Sequence, residues 1–584
     1  MMRSRHASPR LKKMLALIVT LCLTLSAVPA QNRKADKATV QADDLQKWLS
    51  YLASDELEGR ATFSEGLGLA AAYLVDQLRS WGVKPGGDNG SYFQRVRVLG
   101  VKSANHSTLT VEVNGQTRVF KDGEGITFPK NVGGKRSFTV DQIEFLGYGL
   151  DAPLANHNDY AGKDMKGKAV VYLGANGPKG LGTEFRRAIF GRARYATEQR
   201  QAVASIGVGG GGFGGRQGGA GAGAGASGAA GARGPGGARG VEQGDFTTVQ
   251  QLEHPIPPAV TAQDDFFEFL FSNADVKYAE LKEKAAKQEP LPSFTLKGVK
   301  LTFNLDADYQ VVRTQYTRNV VGVIGGIDPK LKDTYVLFSA HYDHVGYAEG
   351  EVVQGARQGA VGPVTKDAVE DRIWNGADDD GSGTVTVLGL AKAFAKGPKP
   401  KRSLMFLWFA GEERGLWGSR FNADYPSAPI DKIVADLNMD MVGRNRDDKA
   451  EEANSVYLVG SDRISTELHN ITVDSNGSLA KPLKLDFEMN DPTDLEQVYY
   501  RSDHYSYAAK GIPIVFFTTG LHPDYHHNTD SVDKINFEKM ARIGQLVYET
   551  GSRVANLDHA PVRDNRGPRV GKGSAGKIAE ETGK

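Results

Sequence analysis

Tyr335-Val-Leu-Phe-Ser-Ala-His341-Tyr-Asp343-His344 begins as a strand-length apolar run and ends in imidazole, carboxylate and imidazole. The same arrangement recurs along the chain. Leu404–Phe409 leads into Gly411-Glu412-Glu413, and Ile433–Leu437 into Asn438-Met439-Asp440-Met441. Ile514–Phe517 leads, through Gly520, to Tyr525-His526-His527. A fifth station, the acidic turn around Asp378-Asp379-Asp380, directly precedes the helix-like run Val385–Phe394. A further strand-like run, Val320–Ile324, and a further helix-like run, Phe537–Val547, extend the pattern. Strands alternating with helices predict an α/β fold, a mostly parallel sheet covered on both faces. Ligands bind outside the carboxyl ends of such strands, so the five stations are expected to meet in one crevice.

Each station offers carboxylate or imidazole and nothing else. Carboxylates crowded together repel one another unless a cation offsets them. The single cysteine, Cys22, lies in the amino-terminal segment, so no thiolate is available to the crevice. An N/O donor set suits Zn²⁺ first, with Mn²⁺ or Co²⁺ as substitutes. Two imidazoles and three acids exceed the needs of one catalytic zinc and suit two zincs sharing a bridging carboxylate. In Glu412-Glu413 one carboxylate is expected to be a ligand and the other a general base. Taken singly, each station reads as a solvated turn or a hydrogen-bonded surface pair; the weight lies in five of them in order.

In that order the motifs read His-x-Asp, Gly-Ala-x-Asp-Asp-x-Ser-Gly, Glu-Glu-x-Gly, Asn-x-Asp-Met-x-Gly, Ser-Asp-His and Tyr-His-x-x-x-Asp-Ser. This series resembles the co-catalytic di-zinc exopeptidases, which include bacterial leucyl aminopeptidases and glutamate carboxypeptidase II. The resemblance implies that His341 and Asp440 hold one zinc and Glu413 and His526 the other. It implies that Asp379 bridges the two, that Glu412 is the general base and that Asp343 orients His341. It also implies a cis peptide at Asp379–Asp380. Asp55-Glu-Leu-Glu-Gly-Arg60 looks like the family's opening helix region. No substrate-binding residue is assigned. Gly381 and Tyr507 depart from the common pattern without removing a ligand.

Around this core lie other segments. Arg3, Arg5, Arg10, Lys12 and Lys13 precede the apolar run Met14–Ala27 and the small residues of Val28-Pro-Ala30, the pattern of a cleaved signal peptide. The apolar run is shorter than the ~20 residues a spanning helix needs. Residues 1–30 are therefore expected to direct export to the periplasm or medium, with no stable membrane insertion after cleavage. Leu45, Trp48, Leu49 and Leu52 and then Ala70 to Leu78 follow helical spacing, while from about residue 100 the period changes to two. Leu146-Gly-Tyr-Gly149, Asp159-Tyr160 and Lys166 to Val171 look like an inserted protease-associated domain over 100–301. The peptidase domain is then discontinuous, 41–99 and 302–557. Gly207 to Gly240 is more than half glycine and reads as a disordered insertion dispensable for catalysis. Residues 558–584 read as a loose tail.

The chain of 584 residues, 40% hydrophobic and 24% charged, is large enough for more than one core. Lys+Arg 71 against Asp+Glu 70 argues against nucleic acid as a partner. The expectation is an exported metalloaminopeptidase acting on peptides or proteins. The alternatives are a carboxypeptidase or dipeptidase of the same family, or a receptor-like binding protein without activity.

Overall fold

The computed structural model describes residues 39–209, 243–491 and 494–565. The predicted leader, Cys22 and nearly all of the glycine-rich stretch lie outside the described residues, as does the tail beyond 565.

The central sheet has ten strands. They are β1 (Lys84–Pro85), β2 (Phe93–Asn105), β3 (Phe246–Thr248), β4 (Ala307–Ile324), β5 (Tyr335–His341), β6 (Ser403–Phe409), β7 (Ile433–Met439), β8 (Ser455–Val459), β9 (Lys484–Asp486) and β10 (Ile514–Thr518). Their order is β3-β2-β4-β6-β5-β7-β10-β8-β9, with β1 on β4. The four middle strands, β6-β5-β7-β10, run parallel, as the apolar runs predicted. Each is buried along all or nearly all of its length, which is why these sequences read as continuous apolar runs rather than alternating ones. On either side the pairing turns antiparallel, at β4–β6 and at β10–β8, so the sheet as a whole is mixed.

Six helices matter to the site: α1 (Ala42–Leu52), α2 (Glu65–Ser80), α3 (Gly383–Lys396), α4 (Trp417–Asp424), α5 (Thr466–Gly477) and α6 (Phe537–Asn556). α1, α3 and α6 pack together, and α3 and α6 lie on β5 and β7. On the opposite face Leu337, Met405, Leu407 and Phe409 are buried with Tyr507 and Ile512. Ser64 caps α2, accepting from the Leu67 N–H, and Asn536 caps α6, accepting from the Lys539 N–H.

A second ten-stranded sheet is built from the chain between Thr108 and Leu305. Its core is aromatic, with Phe120, Phe145, Phe266, Phe267, Phe271 and Phe303 all buried. β2 and β4 pair from Phe93–Val320 to Asn105–Ala307, forming the ribbon that leads out to this second sheet and back.

Two sequence boundaries shift. Gly207 and Val208 belong to the strand Ala204–Val208, paired with Thr261 and Ala262, not to the glycine-rich insertion. A Cβ on Gly207 would sit 2.2 Å from the Tyr172 ring, so glycine here reflects close packing. The start of the tail is also docked. His559 contacts Glu467 at 2.8 Å, and the Val562 and Asn565 N–H groups donate to Glu467 Oε2 and to the Ile464 carbonyl.

Candidate metal centre

Strand ends position the donors. His341 is the last residue of β5, and Asp440 follows β7 directly. Glu412 and Glu413 lie just beyond β6, and His526 lies on the loop after β10. These four strands are adjacent and parallel, so all their carboxyl ends open on the same side. The acidic turn enters from the start of α3, where Asp380 Oδ1 accepts from the Gly383 N–H at 2.9 Å. The Asp379–Asp380 peptide bond is cis.

All seven residues proposed from sequence come together. His341 Nε2 lies 3.4 Å from Asp379 Oδ1, 3.7 Å from Asp440 Oδ2 and 4.0 Å from Glu412 Oε2. His526 Nε2 lies 3.1 Å from Asp379 Oδ2 and 3.3 Å from Glu413 Oε2. Asp379 thus faces one group through each oxygen. Asp343 differs in detail from the expectation. Its carbonyl oxygen is 3.1 Å from His341 Nδ1, while the nearer carboxylate oxygen is 3.7 Å away. That carboxylate instead accepts from the Glu412 N–H at 3.1 Å and from the Thr62 hydroxyl at 3.0 Å.

Behind this group stands a supporting layer. Asp530 Oδ2 accepts from both the Asp378 N–H, at 3.0 Å, and the Asp379 N–H, at 3.1 Å, fixing the acidic turn from below. Asp378 Oδ1 accepts from the Gly443 N–H at 2.6 Å, and Asp378 Oδ2 lies 3.3 Å from His522 Nε2. Burial, and then the neighbouring Asp378, raises Asp530 to about 6.

Electrostatics separates the two adjacent glutamates. Burial pushes Glu412 well above the usual carboxylate range, and Glu413, Asp503 and Asp440 add to the effect. Burial acts the same way on Glu413, but His526 and His344 overcome it and bring that carboxyl down to about 2. Among the described residues, His341, Asp379 and Asp440 form one group able to hold a cation, and His344, Asp379 and Glu413 another. Asp379 Oδ2 and Glu413 Oε1 are buried without a hydrogen bond, which suits donors facing a cation. The donor set therefore fits a pair of borderline or hard divalent ions.

Glu412, Asp379 and Asp440 also line a pocket of about 450 Å³. Its other walls are mainly Met441, Met489, Val498, Phe516, Leu521 and Tyr525, with Arg501 at one side. None of these was singled out in the sequence as a pocket residue, because they are scattered over four segments. Two further residues carry more weight than their motifs suggested. Arg60 is fully buried and donates to the carbonyls of Leu52, Tyr342, Asn375 and Gly376. His344, quoted above only as a neighbour of the His-x-Asp motif, faces Glu413.

Residues 319–551 match the model of peptidase family M28. This part of the chain is similar to that family. A probable leucine aminopeptidase of Arthroderma benhamiae is 31% identical over 181 residues, covering 30% of this chain and 46% of its own length. Aminopeptidase YwaD of Bacillus subtilis is 27% identical over 240 residues, covering 40% and 44%. The chain thus spans about half the length of the curated relatives it matches. Among solved structures, the aminopeptidase from Aneurinibacillus sp. strain AM-1 aligns over 92% of this chain and 99% of its own, with 19% identity and a TM-score of 0.42. No helix among the described residues is long and apolar enough to cross a membrane.

Proposed function

We propose that this chain is an exported di-zinc exopeptidase, an aminopeptidase that removes residues from the amino ends of peptides. The observation that carries this reading is the sharing of Asp379. One of its oxygens faces His341, with Asp440 also beside that imidazole, and the other faces His526, with Glu413 beside it. Glu412 opens on the same pocket. His341 and Asp440 would hold one ion, Glu413 and His526 the other, and Asp379 would serve both. When bound, two divalent ions supply Lewis acidity toward a scissile carbonyl and toward an attacking water.

The chain's own residues do the rest. Glu412 is assigned to take the proton of the attacking water at its carboxylate and to return it to the departing amine. Its raised affinity for protons suits a group that must both accept and release one. Asp343 fixes that role indirectly, holding the Glu412 main chain through the N–H it accepts. The apolar walls at Met441, Met489 and Phe516 suit an uncharged side chain of the residue being removed. The leader at 1–30 is assigned to export, and 100–301 to a protease-associated-like insert.

The test is a substrate panel run beside metal analysis. Aminoacyl-nitroanilides should be cleaved, and N-blocked peptides with free carboxyl ends should not. Chelation should abolish turnover, and zinc should restore it. Cleavage of the blocked peptides alone would move the chain to the carboxypeptidase alternative. An active preparation free of transition metal would overturn the reading.

A further inference from the structure

His344 belongs to the loop that follows β5, three residues beyond His341. Its side chain is fully buried, and neither ring nitrogen makes a hydrogen bond within the protein. A buried imidazole without a partner is costly, because each ring nitrogen has lost water. The ring is nevertheless closely placed. A Cβ on Gly376, whose φ is +57°, would sit 2.5 Å from the His344 ring, so the backbone of the acidic turn lies directly against it.

Its Nδ1 lies 2.9 Å from Glu413 Oε1 and 3.9 Å from Asp379 Oδ2. The shorter contact has the length of a hydrogen bond but not its direction, and it does not count as one. Three donor atoms that approach one another without a well-directed hydrogen bond between them have the arrangement of ligands around one cation. Bonds of about 2.0–2.2 Å at tetrahedral angles separate neighbouring donors by roughly 3.3–3.6 Å, and the contacts here straddle that span. The opposite oxygen of Glu413 faces His526 at 3.3 Å, so this carboxylate sits between two imidazoles.

We propose that His344 is a further protein ligand of the second metal ion, binding through Nδ1 beside Glu413 and Asp379. This rests on the two-ion reading above. It makes the two positions unequal. One is held by His341, Asp440 and Asp379; the other gains a second imidazole, and with it a tighter and more closed site.

The experiment is zinc binding to the chelated full-length protein in competition with a chromogenic chelator, followed by the visible spectrum of the cobalt-loaded form. His344→Ala and His344→Gln are compared with wild type, with folding checked by circular dichroism. Wild type should take up two ions. Both variants should keep the first at wild-type affinity and hold the second at least about 100-fold more weakly, beyond the usual range for losing an outer contact to a ligand. Their cobalt spectra should lose the features of the second site. Two ions bound at wild-type affinity in both folded variants, with an unchanged cobalt spectrum, would overturn the assignment. A wild-type chain that takes up fewer than two ions would fail the two-ion reading itself, and His344 with it.

Discussion

Glu412 and Glu413 are adjacent and chemically identical, yet they face different partners. Glu413 lies between His344 and His526, while Glu412 turns toward His341 and the pocket. Glu412→Gln keeps size and polarity but removes the proton carrier. We expect kcat to fall by about 10²–10⁴-fold, with zinc content and KM near wild type. Glu413→Gln should lower zinc content as well as rate. Metal stoichiometry beside steady-state kinetics reads both; loss of a zinc in Glu412→Gln alone would reverse the assignment. Asp379→Ala should release both ions together, because each of its oxygens faces a different donor group. Retention of one ion at wild-type affinity would contradict the bridging role.

At the scale of elements, the turn Asp55–Arg60 acts as a clamp. The Arg60 guanidinium reaches carbonyls before the acidic turn, at Asn375 and Gly376, and after β5, at Tyr342. Arg60→Met would take the guanidinium donor from four carbonyls, and we expect it to cost on the order of 3 kcal/mol. Arg60→Lys keeps the charge but cannot fork to the same set of acceptors, so it should recover only part of that loss. Thermal unfolding of both variants with bound zinc measures this, and a wild-type midpoint in Arg60→Met would refute the clamp. The sequence showed the motif but not this use, because its acceptors are main-chain carbonyls up to 316 residues away. The parallel strands were legible, since strands buried on both faces become apolar runs that end abruptly in polar donors. The antiparallel flanks were not. β2 and β4 alternate along the ribbon and give no sign of which strand each will pair with.

At the scale of the molecule, the chain between β2 and β4 returns to the pocket. Arg187 lies 3.2 Å from Glu496, which also pairs with the pocket residue Arg501 at 2.9 Å. Arg194 donates to Gln497 at 2.6 Å and lies over the Tyr500 ring, and the Tyr505 hydroxyl donates to Glu198. The segment carrying Val498, Arg501 and Ser502, which line the pocket, is thus held from outside the central sheet. Arg187→Ala combined with Arg194→Ala should raise KM several-fold and leave zinc content unchanged. An unaltered KM would show that this contact does not shape the pocket. The clamp at Arg60 has a last consequence, for biosynthesis. A chain emerging amino end first presents Arg60 long before residue 526 exists. At about 5–20 residues per second, the interval is on the order of a minute. From its own synthesis until residue 518 exists, the nascent acidic turn has no β10 beside it and lacks part of the shelter that buries it in the finished fold. Ribosome-arrested chains that stop short of His526 should therefore be cut readily by protease within 375–383, and chains released after α6 should resist.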